Sequence, residues 1–530
     1  MSDGRTRPKT IALAAILAIA LVAGAWMFQR GVASDSVNGT RLFAQVSAAV
    51  RDNFVDTVSD ARVYQLALDG MLSELDDPYD AYLTPGRATR LSERTSGSYA
   101  GIGLQVDVRD RSLVVVSPLP GGPGERAGIL TGDRIVRIDD TTVTDWTPEE
   151  AQKLLRGAPG SSVRLAIQHA GSATPVTVTL IRAAIHHSAI KRSALLPSNV
   201  GYVALSVFSD STARELKAIV DSLVKSGATS LMLDLRANPG GLLDQGVAVA
   251  ELFLERGDRV ASTAGRDSAD NAVYTDSAAQ RWPNLTVVIL VDNKTASAAE
   301  VVAGALQDHD RAVVLGMTTY GKGSVQHIFP VPAGGAVRLT TARWLTPLGR
   351  YISRPPPPAG AILPDTEPPR PKYRTDGGRT VLGGGGITPD VVIGDTVVPQ
   401  ENLALMRALG TNVSLFHDAL TGYALELKAS NTVKSPDFVV TSAMLDEIYK
   451  RMQKRAVGVP RSTYEAAAPL VSRLFSYEIA RYVFGADAEF RRKAADDKAL
   501  IAAERLLGAS HSQADALRRA EVMQRARKGE

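Results

Sequence analysis

Between Gly201 and Leu315 the chain alternates short, largely apolar runs with longer amphipathic ones, and no other feature restricts its fold as tightly. Gly201 to Val207, Ser230 to Leu235, Thr286 to Val291 and Ala312 to Leu315 read as strands, with helices Thr212 to Lys225, Asp244 to Leu254 and Ser297 to Leu306 among them. Strands without a polar face must be covered on both sides, and strand-helix-strand order makes them parallel, so the segment predicts an α/β core. In such sheets ligands bind where strand carboxyl ends and helix N-termini converge with free N–H groups. Three segments leave strand ends here: LDLRANPGGLLDQG at 233–246, DNKTASAAEVVAGAL at 292–306 and TTYGKGSVQ at 318–326.

Each has a chemical and a structural reading. Ser297 opens a helix, whose field favours developing negative charge, with the Ala298 N–H aimed at an oxyanion. Ser297 to Glu300 is equally a capping box, in which the serine only caps. Gly240 and Gly241 suit an oxyanion hole, or simply a tight turn. Lys322 stands between two glycines and serves as a general base only if its pKa falls from about 10.4 towards 7, which burial produces; otherwise it is a solvated loop lysine. Gly316 to Lys322 imitates a phosphate-binding loop, but Gly323 replaces the required Ser or Thr and a strand-like SVQHIFPV follows. No GxSxG elbow and no HExxH occur. Of the seven histidines, His309 and His327 are candidates to approach Ser297, or are surface residues.

At 530 residues the chain requires several domains. A net charge of +4 gives no excess that demands nucleic acid, and the absence of cysteine excludes disulfides, thiolate nucleophiles and cysteine-ligated metals. From about Val37 to Leu83, Leu42, Val46 and Val50, then Tyr64, Leu68, Met71 and Leu75, recur at helical spacing. Ser98 to about Arg182 changes to some five short strands with Gly-rich turns, Gly101 to Val108 being the first, and one helix, Pro148 to Leu155, behind Thr147 as N-cap. Arg354 to Arg374 is too proline-rich for either element. After Thr396 the pattern is helical, with Leu403 to Leu409, Leu415 to Leu427, Ser442 to Lys454 and a last helix Glu489 to Leu507 ended by Gly508. The basic tail beyond reads as frayed.

Arg5, Arg7 and Lys9 precede Ile11 to Phe28, a run without an ionisable side chain. As a helix it spans about 27 Å, just enough for a bilayer, and the positive flank puts everything past Arg30 outside the cytoplasm. A retained anchor and a signal peptide cut after Ala23, Gly24 and Ala25 both fit; Trp26, Met27 and Phe28 prolong the apolar run and favour the anchor.

Asp77 to Tyr79 (DPY), GIGL at 101–104, ERAGILTGDRIVRIDD at 125–140, LDLRANPGGLL, KTASAAE, GKGSVQ, TPLG at 346–349 and GITPDVVI at 386–393 follow one another in a fixed order. By these motifs the chain, from about Val37 to Gly394, resembles the C-terminal processing peptidases, or tail-specific proteases, serine peptidases with a Ser-Lys dyad. The resemblance implies Ser297 as nucleophile, Lys322 as general base, Gln326 orienting that lysine, and the Gly241 and Ala298 N–H groups as oxyanion hole. It implies a PDZ module in which an extended peptide joins the edge strand while Ile102, Gly103 and Leu104 cradle its terminal carboxylate, with Arg156 as a further carboxylate partner. It implies no metal and no organic cofactor. Asp80 and Lys294 depart from residues common in the family, and the loop 354–374 is an insertion.

The expected architecture is multidomain, mixing α/β and α+β: a cytoplasmic tip and membrane helix (1–30), a helical region (31–95), a PDZ β domain (96–184), an α/β peptidase core (185–395) and an all-α region (396–530). The expected activity is hydrolysis of proteins with free C-termini, from a bacterial inner membrane with most of the chain periplasmic. Expected partners are substrate chain ends and the membrane, with no nucleic acid; the helical regions would serve a second copy or an adaptor. The alternative is a PDZ scaffold or sensor on a degenerate peptidase fold.

Overall fold

The computed structural model describes residues 38–109, 112–143, 146–169, 172, 174–354, 370–394 and 398–529. The helix expected at Ile11 to Phe28 and most of the proline-rich loop lie outside them. Among the described residues no helix is long and apolar enough to cross a membrane. The chain forms two units, one running to Ala88 and including Gln326–Thr340, the other comprising Thr89–Val325 and Thr341 onwards.

In the first unit a helix over 38–53 is followed by Asp60–Ser73, whose N-cap Ser59 accepts the Arg62 N–H. Leu42, Val46, Met71 and Leu75 are all more than half exposed. Their spacing located the helices but not a core beneath them. Asp77 turns the chain by accepting the Tyr79 N–H at 2.8 Å, and Ala81–Leu83 then pairs antiparallel with Ala336–Arg338. Asp80 accepts the Thr340 N–H at 2.7 Å, so its carboxylate anchors that pairing.

The second unit opens with an antiparallel β domain. Its sheet runs Leu104–Arg109, Ser112–Pro118, Arg134–Ile138, Ser162–Gln168, Val176–Ile181, with Thr141–Thr142 beside Arg134–Ile138. Inward residues such as Val115, Ile135, Ile138, Leu165 and Ile167 form one core, closed by Leu155 of the helix Pro148–Leu155. Thr147 and Glu150 cap that helix reciprocally, Thr147 N–H to Glu150 at 2.7 Å and Glu150 N–H to Thr147 Oγ1 at 3.2 Å. The single strand expected over Gly101 to Val108 is instead broken. Ser98–Gly101 pairs with Ala183–His186, Gly103 turns the corner at φ +69°, and Leu104 starts the main sheet. A left-handed residue cannot continue a ladder, so the glycine that looked like strand texture ends one.

The α/β core is a six-stranded sheet in the order Ile190–Leu196, Val200–Leu205, Ser230–Asp234, Thr286–Val291, Val313–Gly316, Val391–Val392. The first pair is antiparallel and the rest are parallel. Side chains alternate strictly between two cores. Leu231, Leu233, Val287 and Ile289 pack against the helices Thr212–Lys225, Leu243–Glu251 and Ala298–Asp308. Met232, Val288, Leu290 and Val313 face the other way, onto Leu500, Ala503, Leu507, Ala516, Leu517 and Ala520.

The second face is thus covered by the end of the chain, which corrects two expectations. The helix expected over Glu489 to Leu507 is two, Ala486–Asp496 and Lys498–Ala509, because Asp497 caps the second by accepting the Ala499 and Leu500 N–H groups at 3.1 and 3.0 Å. The tail expected to fray is a helix, Gln513–Lys528. Its small apolar residues face the sheet, and Gln513 and Gln524 accept the Val287 and Val392 N–H groups at 2.8 and 3.0 Å. Between sheet and tail, the helices Gln400–Leu409 to Ala468–Ile479 form a core of their own around Phe416, Leu420, Ile448, Tyr464 and Phe475.

Candidate active site

The turn after Thr286–Val291 is fixed by side chains before Ser297 is reached. Thr295 donates from Oγ1 to the Leu235 carbonyl at 2.9 Å, and the Ala296 N–H donates to the Asn238 carbonyl at 3.0 Å. Asp292 accepts the Ala237 N–H at 3.0 Å, which joins the turn to the neighbouring LDLRANPGG segment. That segment is held at its start by Arg236, paired through two nitrogens with Asp234 and through Nη1 with Asp497 at 2.7 Å.

Ser297 itself sits at φ +56°, ψ −121°, a conformation that non-glycine residues adopt only where the surroundings impose it. It precedes the helix Ala298–Asp308, and the Glu300 and Val301 N–H groups go to its carbonyl oxygen at 2.7 and 3.0 Å. His309 does not reach it. His309 caps the far end of that helix, about 16 Å away, with Nδ1 at 2.7 Å from Asp376 and Nε2 at 2.8 Å from the Arg259 carbonyl. His327 lies in the first unit, exposed, with its ring edge-on to Phe329.

Beside Ser297 runs the glycine pair. A Cβ on Gly240 would lie 2.8 Å from Ser297 Cβ and 2.9 Å from the Ala298 nitrogen, so only glycine allows this approach. At Gly241 a Cβ would lie 2.0 Å from the Phe208 carbonyl oxygen. The Gly240 N–H is engaged by Asn238 Oδ1 at 2.8 Å. The Gly241 and Ala298 N–H groups donate to no acceptor among the described residues. Two backbone donors next to one hydroxyl are what an oxyanion hole requires.

The GKG turn is held at every backbone group. Gly321 N–H donates to Glu300 at 2.7 Å and its carbonyl accepts from Arg354 N–H at 3.2 Å. Lys322 N–H donates to Glu300 at 2.9 Å and its carbonyl accepts from Trp344 Nε1 at 2.9 Å. Gly323 N–H donates to Ser353 Oγ at 3.1 Å and its carbonyl accepts from Trp344 N–H at 2.9 Å. Lys322 is half-buried, and a strand, Ser324–Pro330, follows it. A phosphate-binding loop leads into a helix, so that reading fails.

Glu300 joins the two segments. It is fully buried, and its Oε2 accepts the N–H of Ser297 at 2.8 Å and of Lys322 at 2.9 Å. The two backbone nitrogens are therefore no farther apart than those two bonds laid end to end. Oε1 accepts the Gly321 N–H at 2.7 Å and the Thr319 hydroxyl at 2.5 Å. Burial pushes this carboxyl above the ordinary range, and the four donors pull against it. In the sequence Glu300 showed only as the last letter of a capping box. Arg236, Asp292 and Asn238 lay in segments already marked as strand ends, with nothing local to single them out.

Gln326 belongs to the first unit, where its Nε2 donates to Thr340 Oγ1 at 3.1 Å. Ile102, Gly103, Leu104 and Arg156 line one groove of about 480 Å³ in the β domain. The Ile102 and Gly103 carbonyls accept from Gly124 and Leu119 at 2.9 Å each, while their N–H groups have no acceptor among the described residues.

The sequence model of peptidase family S41 matches residues 199–367, and that of the PDZ domain matches 114–169. The carboxy-terminal processing protease CtpA of Bacillus subtilis (strain 168) is 34% identical over 318 residues, 60% of this chain and 67% of the relative. A carboxy-terminal-processing protease of Bartonella bacilliformis is 35% identical over 314 residues, 58% of this chain and 71% of the relative. The solved photosystem II D1 C-terminal processing protease is 29% identical, covering 70% of this chain and 97% of its own, with a TM-score of 0.36. With relatives of this identity and coverage, and with both sequence models falling on the segments described above, the chain belongs to the carboxy-terminal processing proteases of peptidase family S41, serine proteases that carry a PDZ domain.

Proposed function

We propose that this protein is a membrane-anchored, extracytoplasmic endopeptidase that takes the C-terminal tails of proteins into its PDZ groove and cuts them through an acyl-enzyme. Ser297 Oγ attacks the scissile carbonyl while neutral Lys322 accepts its proton, and the developing oxyanion receives the Gly241 and Ala298 N–H groups. Lys322 then passes the proton to the departing amine. In the second half it takes a proton from water, which attacks the acyl carbon, and it returns that proton to Ser297 Oγ as the acyl bond breaks, leaving lysine neutral and serine free. One observation carries the reading: a single buried carboxylate, Glu300, holds the Ser297 and Lys322 backbones together, beside two backbone donors with no acceptor among the described residues.

A neutral lysine base makes turnover rise towards alkaline pH. Peptide hydrolysis followed from pH 5 to 10 is expected to climb on the alkaline side and to be the same with and without EDTA. Activity lost in EDTA and restored by zinc would replace the dyad with a metal mechanism.

The tether is assigned to Ile11 to Phe28 behind Arg5, Arg7 and Lys9, in a bacterial inner membrane with the catalytic part outside the cytoplasm. The protein should sediment with membranes and become soluble when residues 1–30 are deleted. A mature N-terminus at Trp26 would instead mean a cleaved signal.

A further inference from the structure

Arg156, the groove's candidate carboxylate partner, already has a carboxylate. It stands at the C-cap of the helix Pro148–Leu155, its guanidinium 5.2 Å from the centroid of the Tyr99 ring, and its Nη1 is ion-paired with Glu93. Glu93 is 63 positions away in the sequence, on the helix Pro85–Ser96, so the pair is no local helix contact. Glu93, Tyr99, Ile102, Gly103, Leu104 and Arg156 line the same groove. Glu93 is 22% and Arg156 33% exposed, which places the pair at the groove's wall, reachable from solvent.

Resting on the reading that this groove takes a free chain end, we propose that Glu93 is an internal stand-in for the substrate's terminal carboxylate, held on Arg156 until a chain end displaces it. The geometry joins three things: a cation in the groove, a carboxylate from another element already on it, and the Ile102 and Gly103 N–H groups alongside with no acceptor among the described residues. An incoming carboxylate that meets Arg156 also meets Glu93, and two like charges in a partly desolvated groove repel. It binds by displacing Glu93 or against that repulsion. Either way Glu93 weakens the capture of chain ends in general and sets a threshold that only ends with good side-chain contacts in the groove overcome. Glu93 is thus a selectivity-determining residue that touches no reacting atom.

The effect has an unusual sign, because removing a charged side chain should tighten binding. Full-length Ser297→Ala protein, which cannot turn the probe over, is titrated into a fluorescent peptide of about ten residues with a free C-terminal carboxylate, and separately into its C-terminal amide. The free acid is expected to bind more tightly than the amide. Glu93→Gln should tighten the free acid by roughly two- to fivefold, the range expected for a partly exposed ion pair, and leave the amide unchanged. Glu93→Asp, which withdraws the carboxylate by one methylene, should give a smaller gain of the same sign. Arg156→Gln added to Glu93→Gln should erase the gain. If Glu93→Gln and Glu93→Asp bind the free acid no better than the parent, while the parent still prefers acid to amide, the role of Glu93 is wrong and the chain-end reading stands. Equal binding of acid and amide by the parent would overturn that reading and this inference with it.

Discussion

Replacing either Ser297 or Lys322 by alanine is expected to lower peptide turnover by roughly three orders of magnitude or more, because the members of a nucleophile-base pair act as a unit and losing one forfeits most of what both supply. Folding should survive. The Ser297 carbonyl accepts the Glu300 and Val301 N–H groups, and the backbone bonds that fix Lys322 run from its N–H and carbonyl, all of which alanine keeps. Substitutions of this kind shift stability by about 1 kcal/mol or less. The check is kcat/KM on a cleavable peptide beside a thermal melt of each variant. A folded variant that retains a tenth of the parent's turnover would remove that residue from the dyad.

The second large effect is expected at a residue that touches no substrate. Glu300→Gln keeps the shape of the side chain but puts an NH2 where one oxygen was. On the Oε2 side it would face the Ser297 and Lys322 N–H groups; on the Oε1 side it would face the Gly321 N–H, although the Thr319 hydroxyl could turn to accept from it. In either orientation at least one buried backbone N–H loses its acceptor. A buried group so orphaned costs about 1–3 kcal/mol, and a misplacement of about 1 Å in a catalytic group costs about 100-fold in rate. We therefore expect kcat to fall by roughly two orders of magnitude with KM little changed, and the denaturant midpoint to fall as well. A Glu300→Gln protein with the parent's kcat and midpoint would mean that the carboxylate does not set the relation between the Ser297 and Lys322 loops.

These two predictions mark how far the sequence reaches. Ser297, Lys322, Gly241 and Ala298 were legible because they leave strand ends, and the ends of parallel strands converge whatever surrounds them. Motif order assigned them to a known chemistry. Glu300 was visible only as a helix cap, since S-x-x-E is satisfied within one turn and an isolated helix would show the same pattern. Its function depends on Gly321 and Lys322, about twenty residues on and across the fold. Glu93 is a further case: an exposed-looking charge in a polar helix gives no sign of the arginine 63 positions later.

The tail shows the same division. Its basic composition suggested fraying, yet Ala516, Leu517 and Ala520 at helical spacing are buried on the sheet. By itself the sequence determined four of the six core strands, the need to cover both faces, and which segments leave the strand ends, because periodicity and turn chemistry act over a few residues. Only the tertiary structure decided that residues 498–528 cover the second face and that one carboxylate ties the serine turn to the lysine turn. Burial and hydrogen-bond partnership belong to neighbours in space, and an alternating strand states that a face is apolar without stating what will lie on it.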